Sequence, residues 1–135
     1  MLPIDWDEKY SVNVKEIDDQ HKNLLLLFNK LQDGVNTGKS KEDMGQALSD
    51  LIDHTILHFT TEEKLMKQFS FIGYVEHKST HDALIAEAKE LQKKFSQGKI
   101  VLSEDVSVFL SGWLTDHILD TDKKYGPLFQ SKGVS

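Results

Sequence analysis

Between Met44 and Phe69 the chain repeats its core-type residues in steps of four and three: Met44, Leu48, Leu51, Thr55, His58, Glu62, Leu65, Phe69. That alternation holds one seam along one side of an α-helix, the pattern of a helix packed lengthwise against others in a bundle. The seam also carries a histidine and a glutamate. Polar groups facing a core are costly unless something partners them, so the segment asks both for neighbouring helices and for a ligand or counter-group.

Three further helical stripes answer the first demand. His21, Leu24, Leu25, Phe28, Leu31 and Val35 share a face in a helix from about Asp18 to Asn36, ending near Thr37-Gly38. Ser40 with Asp43 resembles a capping box and starts the second helix, which Ser70-Phe71-Ile72-Gly73 breaks. His77, His81, Leu84, Ala88, Leu91 and Phe95 define a third, ending at Gln97-Gly98. Ser103, followed by Glu104 and Asp105, reads as the N-cap of a fourth helix, whose stripe is Val106, Phe109, Leu110, Trp113 and His117 and whose end is Gly126-Pro127.

Residues 1–16 have no period and read as an extended arm, with Trp6 and Tyr10 free to pack. Short connections favour antiparallel neighbours. The expected fold class is therefore all-α: an antiparallel up-down-up-down four-helix bundle with an extended N-terminal arm, residues 1–135 forming a single domain.

In that topology His21, His58, Glu62, His77, His81 and His117 fall at one end of the bundle and form a polar layer. A lone core histidine is most often a hydrogen-bonded structural residue, but five imidazoles at one level need a cation. His77 and His81 lie one turn apart and can share an ion; His58 and Glu62 have the same spacing, so that the carboxylate can reach a second ion.

With no cysteine among the 135 residues, thiolate sites, iron–sulfur clusters and disulfides are excluded, and a nitrogen-rich set suits iron, manganese, zinc or copper. So many ligands from four helices exceed one ion. Carboxylate-rich di-iron bundles use Glu-x-x-His on two helices; that pattern is absent here, leaving a histidine-rich pair of irons.

Other function classes fall away on composition. A net charge of −6 opposes a nucleic-acid partner. No apolar run approaches the ~20 residues of a membrane span, and the acidic start Asp5-Trp6-Asp7-Glu8 is unlike a signal peptide. A cytoplasmic, monomeric protein is expected.

The blocks Ile17-Asp18-Asp19-Gln20-His21, His58-Phe59-Thr60-Thr61-Glu62-Glu63, His77-Lys78-Ser79-Thr80-His81, Trp113-Leu114-Thr115-Asp116-His117-Ile118 and Asp122-Lys123-Lys124-Tyr125 together resemble the hemerythrins, in particular their short bacterial forms. The resemblance implies a non-haem di-iron centre. His77, His81 and His117 would bind one iron and His21 and His58 the other, with Glu62, Asp122 and an oxo or hydroxo group bridging. Such a set fills all but one of the positions of two six-coordinate irons, leaving an opening on the iron with fewer histidines. There dioxygen would bind reversibly, in a pocket that Leu24, Phe59, Trp113, Leu114 and Ile118 would line. Nitric oxide and small anions are further candidates for that opening.

Two positions strain the pattern. His117 and Asp122 are five apart, about 140° round a regular helix, so Asp122 as a ligand requires a local widening such as a π-bulge; spacing alone would choose Asp120 or Thr121. His54, where the family often has tyrosine, sits one turn before His58 and is expected on the same seam. It is expected to support the layer by a hydrogen bond or by packing, with a substitute ligand as the other reading.

The expected function is an oxygen carrier, store or delivery protein and not an enzyme. The alternatives are a module sensing oxygen, nitric oxide or iron, and a di-iron peroxidase or nitric-oxide-handling protein.

Overall fold

The computed structural model describes residues 4–99, 104–116 and 127. Four helices in chain order, α1 (Lys15–Thr37), α2 (Lys41–Gln68), α3 (Tyr74–Ser96) and α4 (Glu104–Asp116), make an all-α four-helix bundle with no strand among the described residues. Cross-helix hydrogen bonds show the antiparallel order. Gln20 near the start of α1 meets Thr61 near the end of α2, at 3.1 Å. Glu62 meets His77 at the start of α3, and Leu84 of α3 meets Trp113 near the end of α4.

The helix ends follow local chemistry. Gly38 closes α1 in the left-handed region at φ 70°, where a Cβ would be strained. Ser40 caps α2 by accepting from the Asp43 N–H at 3.1 Å. Ser103, the expected cap of α4, lies outside the described residues, as do residues 117–126 with His117, Ile118, Asp122 and the expected end of the fourth helix.

The main core joins all four helices: Phe28, Leu31, Leu48, Leu51 and Leu110 are at most 1% exposed, and α3 adds Ala88 and Phe95. Burying a side chain of this size stabilises by about 1.5–3 kcal/mol, so this end of the bundle coheres without any ion. A smaller cluster of Val12, Val14, Ile17 and Met66, backed by Leu65, Phe69, Phe71 and Tyr74, caps the opposite end.

The arm departs from the expected extended run to residue 16. Helix α1 begins already at Lys15, and Glu8–Tyr10 forms one turn of 3-10 helix capped by Asp7. The reason is Asp18. Its carboxylate accepts from the Ser11 hydroxyl at 2.5 Å and the Val12 N–H at 2.9 Å, fixing the approach so that Val12, Val14 and Ile17 all bury. Further out, Asn29 clasps the arm by exchanging two 2.8 Å hydrogen bonds with the Ile4 backbone.

Candidate metal centre

Near the end of the bundle α1, α2 and α3 bring together His21, His58, Glu62, His77 and His81, each at most 4% exposed. The helical spacing places them: His58 and Glu62 are one turn apart on α2, His77 and His81 one turn apart on α3, and His21 lies one turn after Ile17 on the buried stripe of α1.

All four imidazoles turn Nε2 toward one carboxylate, in two pairs. Oε1 of Glu62 faces His21 Nε2 at 3.7 Å and is in close contact with His58 Nε2. Oε2 faces His77 Nε2 and His81 Nε2, both at 3.2 Å. The donors thus form two sets, His21–His58–Glu62 and Glu62–His77–His81, each with its atoms within 4.8 Å of one another.

These donors fit a pair of ions. Two nitrogens bound at right angles to one ion at about 2.1 Å stand about 3.0 Å apart; the Nε2 atoms of His21 and His58 are 2.9 Å apart. One carboxylate offering one oxygen to each histidine pair is the arrangement of a bridge. No lysine or arginine is among the buried charged residues described, so cations are what the buried carboxylate and imidazole donors can share.

Outer contacts set the orientation of the rings. Gln20 Oε1 accepts from His58 Nδ1 at 2.8 Å, while its Nε2 donates to Thr61 Oγ1 at 3.1 Å. The proton on Nδ1 leaves the Nε2 lone pair aimed at the centre, as a metal ligand requires. Glu63 Oε1 stands 3.6 Å from His81 Nδ1 and 3.8 Å from the Lys78 ammonium. The hydrogen bond to Asp82, and then the charge of Glu63, hold the Lys78 pKa above its ordinary value. Phe59 stacks on His81 with centroids 3.8 Å apart and planes 3° from parallel; Phe71 meets His77 edge-on.

Beside the centre lies a small cavity lined by Leu24, Thr55, Phe59, Trp113 and Leu114. Its volume, about 10 Å³ for the centre of a water-sized sphere, is the room of roughly one small molecule. The hydroxyl in its described wall, on Thr55, is committed to the Leu51 carbonyl at 2.7 Å. Leu24, Phe59, Trp113 and Leu114 belong to the expected pocket; Ile118, His117 and Asp122 lie outside the described residues.

His54 is a correction. It does not share the buried seam but is exposed, its Nδ1 accepting from Asn23 Nδ2 at 3.0 Å. Four residues advance a helix by about 40° beyond a full turn; Glu62 lies on the core side of His58 by that angle, and His54 lies on the solvent side. Thr55 takes the seam position instead. Gln20 was missed as a functional residue: its place beside His21 was visible, but its partner is on another helix and no spacing reveals it.

Residues 12–129 match the family model of the hemerythrin HHE cation binding domain. The chain is 38% identical over 119 residues to the bacteriohemerythrin of Methylococcus capsulatus, covering 88% of this chain and 90% of that one. It is 30% identical to the bacteriohemerythrin of Pseudomonas aeruginosa, over 93% of this chain and 80% of the relative. A crystal structure of a wild-type hemerythrin superposes with a TM-score of 0.89 at 36% identity, covering 94% of this chain and 98% of that one. An all-α bundle with a buried histidine–carboxylate layer defines a metal-binding helical protein, and this chain belongs to the hemerythrin family. Its histidine–glutamate cluster is able to hold a di-iron centre, and iron is the cofactor consistent with that family. No helix among the described residues is long and apolar enough to cross a membrane.

Proposed function

We propose that the chain binds dioxygen reversibly at a di-iron centre, as a single-domain carrier, store or delivery protein. The observation that carries this reading is the apolar cavity of one-molecule size sharing Phe59 with the histidine layer. The bound irons would supply the electrons that hold dioxygen. The protein's part is to fix the ligands, leave one small space and keep that space dry, since water in a site of this kind promotes loss of the bound species.

In the proposed ligand set His77 and His81 act with His117 on one ion, and His21 and His58 hold the other. Glu62 bridges through its two oxygens, and Asp122 is the second carboxylate bridge. The pairing of the Nε2 atoms on opposite oxygens of Glu62 supports this division. The described wall of the space, Leu24, Thr55, Phe59, Trp113 and Leu114, to which the sequence adds Ile118, carries no carboxylate or imidazole among its described residues, which favours binding over turnover.

The test is the visible spectrum of the reduced, iron-loaded protein before and after exposure to air, and again after oxygen is removed. Two irons per chain and a band that appears with oxygen and disappears without it are expected. A protein carrying one ion, or two irons with no oxygen-dependent band, would overturn the reading. Steady consumption of peroxide or nitric oxide by that protein would favour an enzyme instead.

A further inference from the structure

Glu63 follows the central carboxylate Glu62 in sequence but lies on the other side of a layer imidazole. Its side chain is 19% exposed, at a groove between α2 and α3. Its Oε1 is nevertheless buried and accepts no hydrogen bond among the described residues. That oxygen stands 3.6 Å from His81 Nδ1 and 3.8 Å from the Lys78 ammonium, slightly beyond hydrogen-bond length from each. His81 meanwhile directs its Nε2 to Glu62, 3.2 Å away. One imidazole thus lies between two carboxylates, the inner one shared by four rings and the outer one on the groove side.

We propose that Glu63 is a positioning residue for His81, whose charge holds the proton on Nδ1 and makes Nε2 a stronger metal donor than a neutral partner would. The inference rests on His81 being a ligand, as proposed above, and is independent of oxygen binding. A carboxylate behind a ligand imidazole fixes the tautomer and raises the basicity of the opposite nitrogen. With little water around it, the same negative charge also attracts a cation across the ring. His58 offers the contrast, since its Nδ1 proton goes to the neutral amide oxygen of Gln20. Outer partners of different charge make the two histidine pairs unequal donors. Lys78 tempers the effect: its ammonium, itself bonded to Asp82 at 3.1 Å, competes with His81 for the same oxygen.

The test uses the full chain loaded with cobalt(II), with release of the ions followed against rising concentrations of a competing chelator. Glu63→Gln keeps the shape and an acceptor oxygen but removes the charge. One of the two ions should then come off about tenfold more easily, while the other is released as in the parent. Lys78→Met keeps Glu63 and removes its competing cation, so it should hold both ions at least as tightly as the parent. Proton NMR of the cobalt-loaded protein separates a role through His81 from a merely structural one: among the exchangeable ring N–H signals shifted by cobalt, one should move in Glu63→Gln while the rest stay. Parent-like release of both ions from Glu63→Gln, looser binding in Lys78→Met, or a common movement of all the ring signals would overturn the proposal. Failure of the ligand assignment looks different, because His81→Ala would then keep both ions. Failure of this inference alone leaves His81→Ala short of cobalt and Glu63→Gln equal to the parent.

Discussion

Gln20 and His58 belong to different helices, and the side-chain amide of the first accepts the Nδ1 proton of the second at 2.8 Å. One residue further along α1, His21 places its Nε2 2.9 Å from that of His58. Adjacent residues of α1 thus serve the same imidazole from behind and from the front. The geometry depends on α1 and α2 keeping their register, which the Gln20–Thr61 bond also fixes.

Replacing Gln20 with leucine should therefore weaken metal binding without removing a ligand. Loss of such an outer partner costs about 10–100-fold in affinity, to be read by competition with a chelator. Gln20→Glu keeps an acceptor and should restore much of the loss. Parent-like affinity in the leucine variant would show that His58 is oriented by other contacts.

His77→Ala and His81→Ala should each lose metal and lower the melting temperature, because metal-binding free energy in a buried site is also folding free energy. The remaining imidazoles and Glu62 would then face each other in a buried space. Retention of both irons with unchanged melting in either variant would remove that residue from the proposed ligand set.

Asp122→Ala should lose the iron pair and Asp120→Ala should keep it, as metal analysis of the two purified variants would reveal. The opposite result would mean that regular helix spacing from His117 is the better guide to the second bridging carboxylate.

The arm gives a prediction about stability alone. Asp18→Ala removes the acceptor of both the Ser11 hydroxyl and the Val12 N–H. Each hydrogen bond to a charged group contributes about 1.5–3 kcal/mol, so denaturant unfolding should show a loss of a few kcal/mol while the metal content is unchanged. A loss below about 0.5 kcal/mol would mean that the arm is held by its apolar contacts.

Ile118 directly follows the proposed ligand His117, and the pocket reading puts its bulk beside the open iron position. Ile118→Glu should shorten the life of the oxygenated form by admitting a carboxylate and water to an apolar space, with both irons retained. Decay followed by absorption and equal to that of the parent, at full iron content, would move the oxygen site elsewhere.

Much of this was legible in the residues because the signals are local. Ser40 with Asp43, Gly38 after the first stripe, and the four-three steps of α2 from Met44 to Glu62 each act within one or two turns, and the structure reproduces them; beyond Glu62 the fully buried residue is Met66, with the expected Leu65 and Phe69 half-buried. The start of α1 was not legible. Asp18 looks like a helix-start residue, yet its carboxylate is engaged with the arm, and α1 begins three residues earlier. His54 misled for a geometric reason: a step of four implies the same face only to within about 40°, and which side of His58 the core lies on is decided by the neighbouring helices. The Gln20–His58 contact and the double role of Phe59 arise between helices, where sequence spacing carries no information.

The polar layer also divides the chain by order of assembly. The main core around Phe28, Leu48, Leu51 and Leu110 contains no carboxylate, imidazole or amine side chain among the described residues, so it can form as the nucleus as soon as the helices meet. The end carrying Ile17, Met66 and the 69–73 turn is joined to that nucleus across the histidines and Glu62. Amide hydrogens there should exchange by local opening, at a rate that metal slows, while those of the main core exchange only with global unfolding. On this division the main core would be in place before iron binds, and the cofactor would complete the end that carries Ile17 and Met66 last.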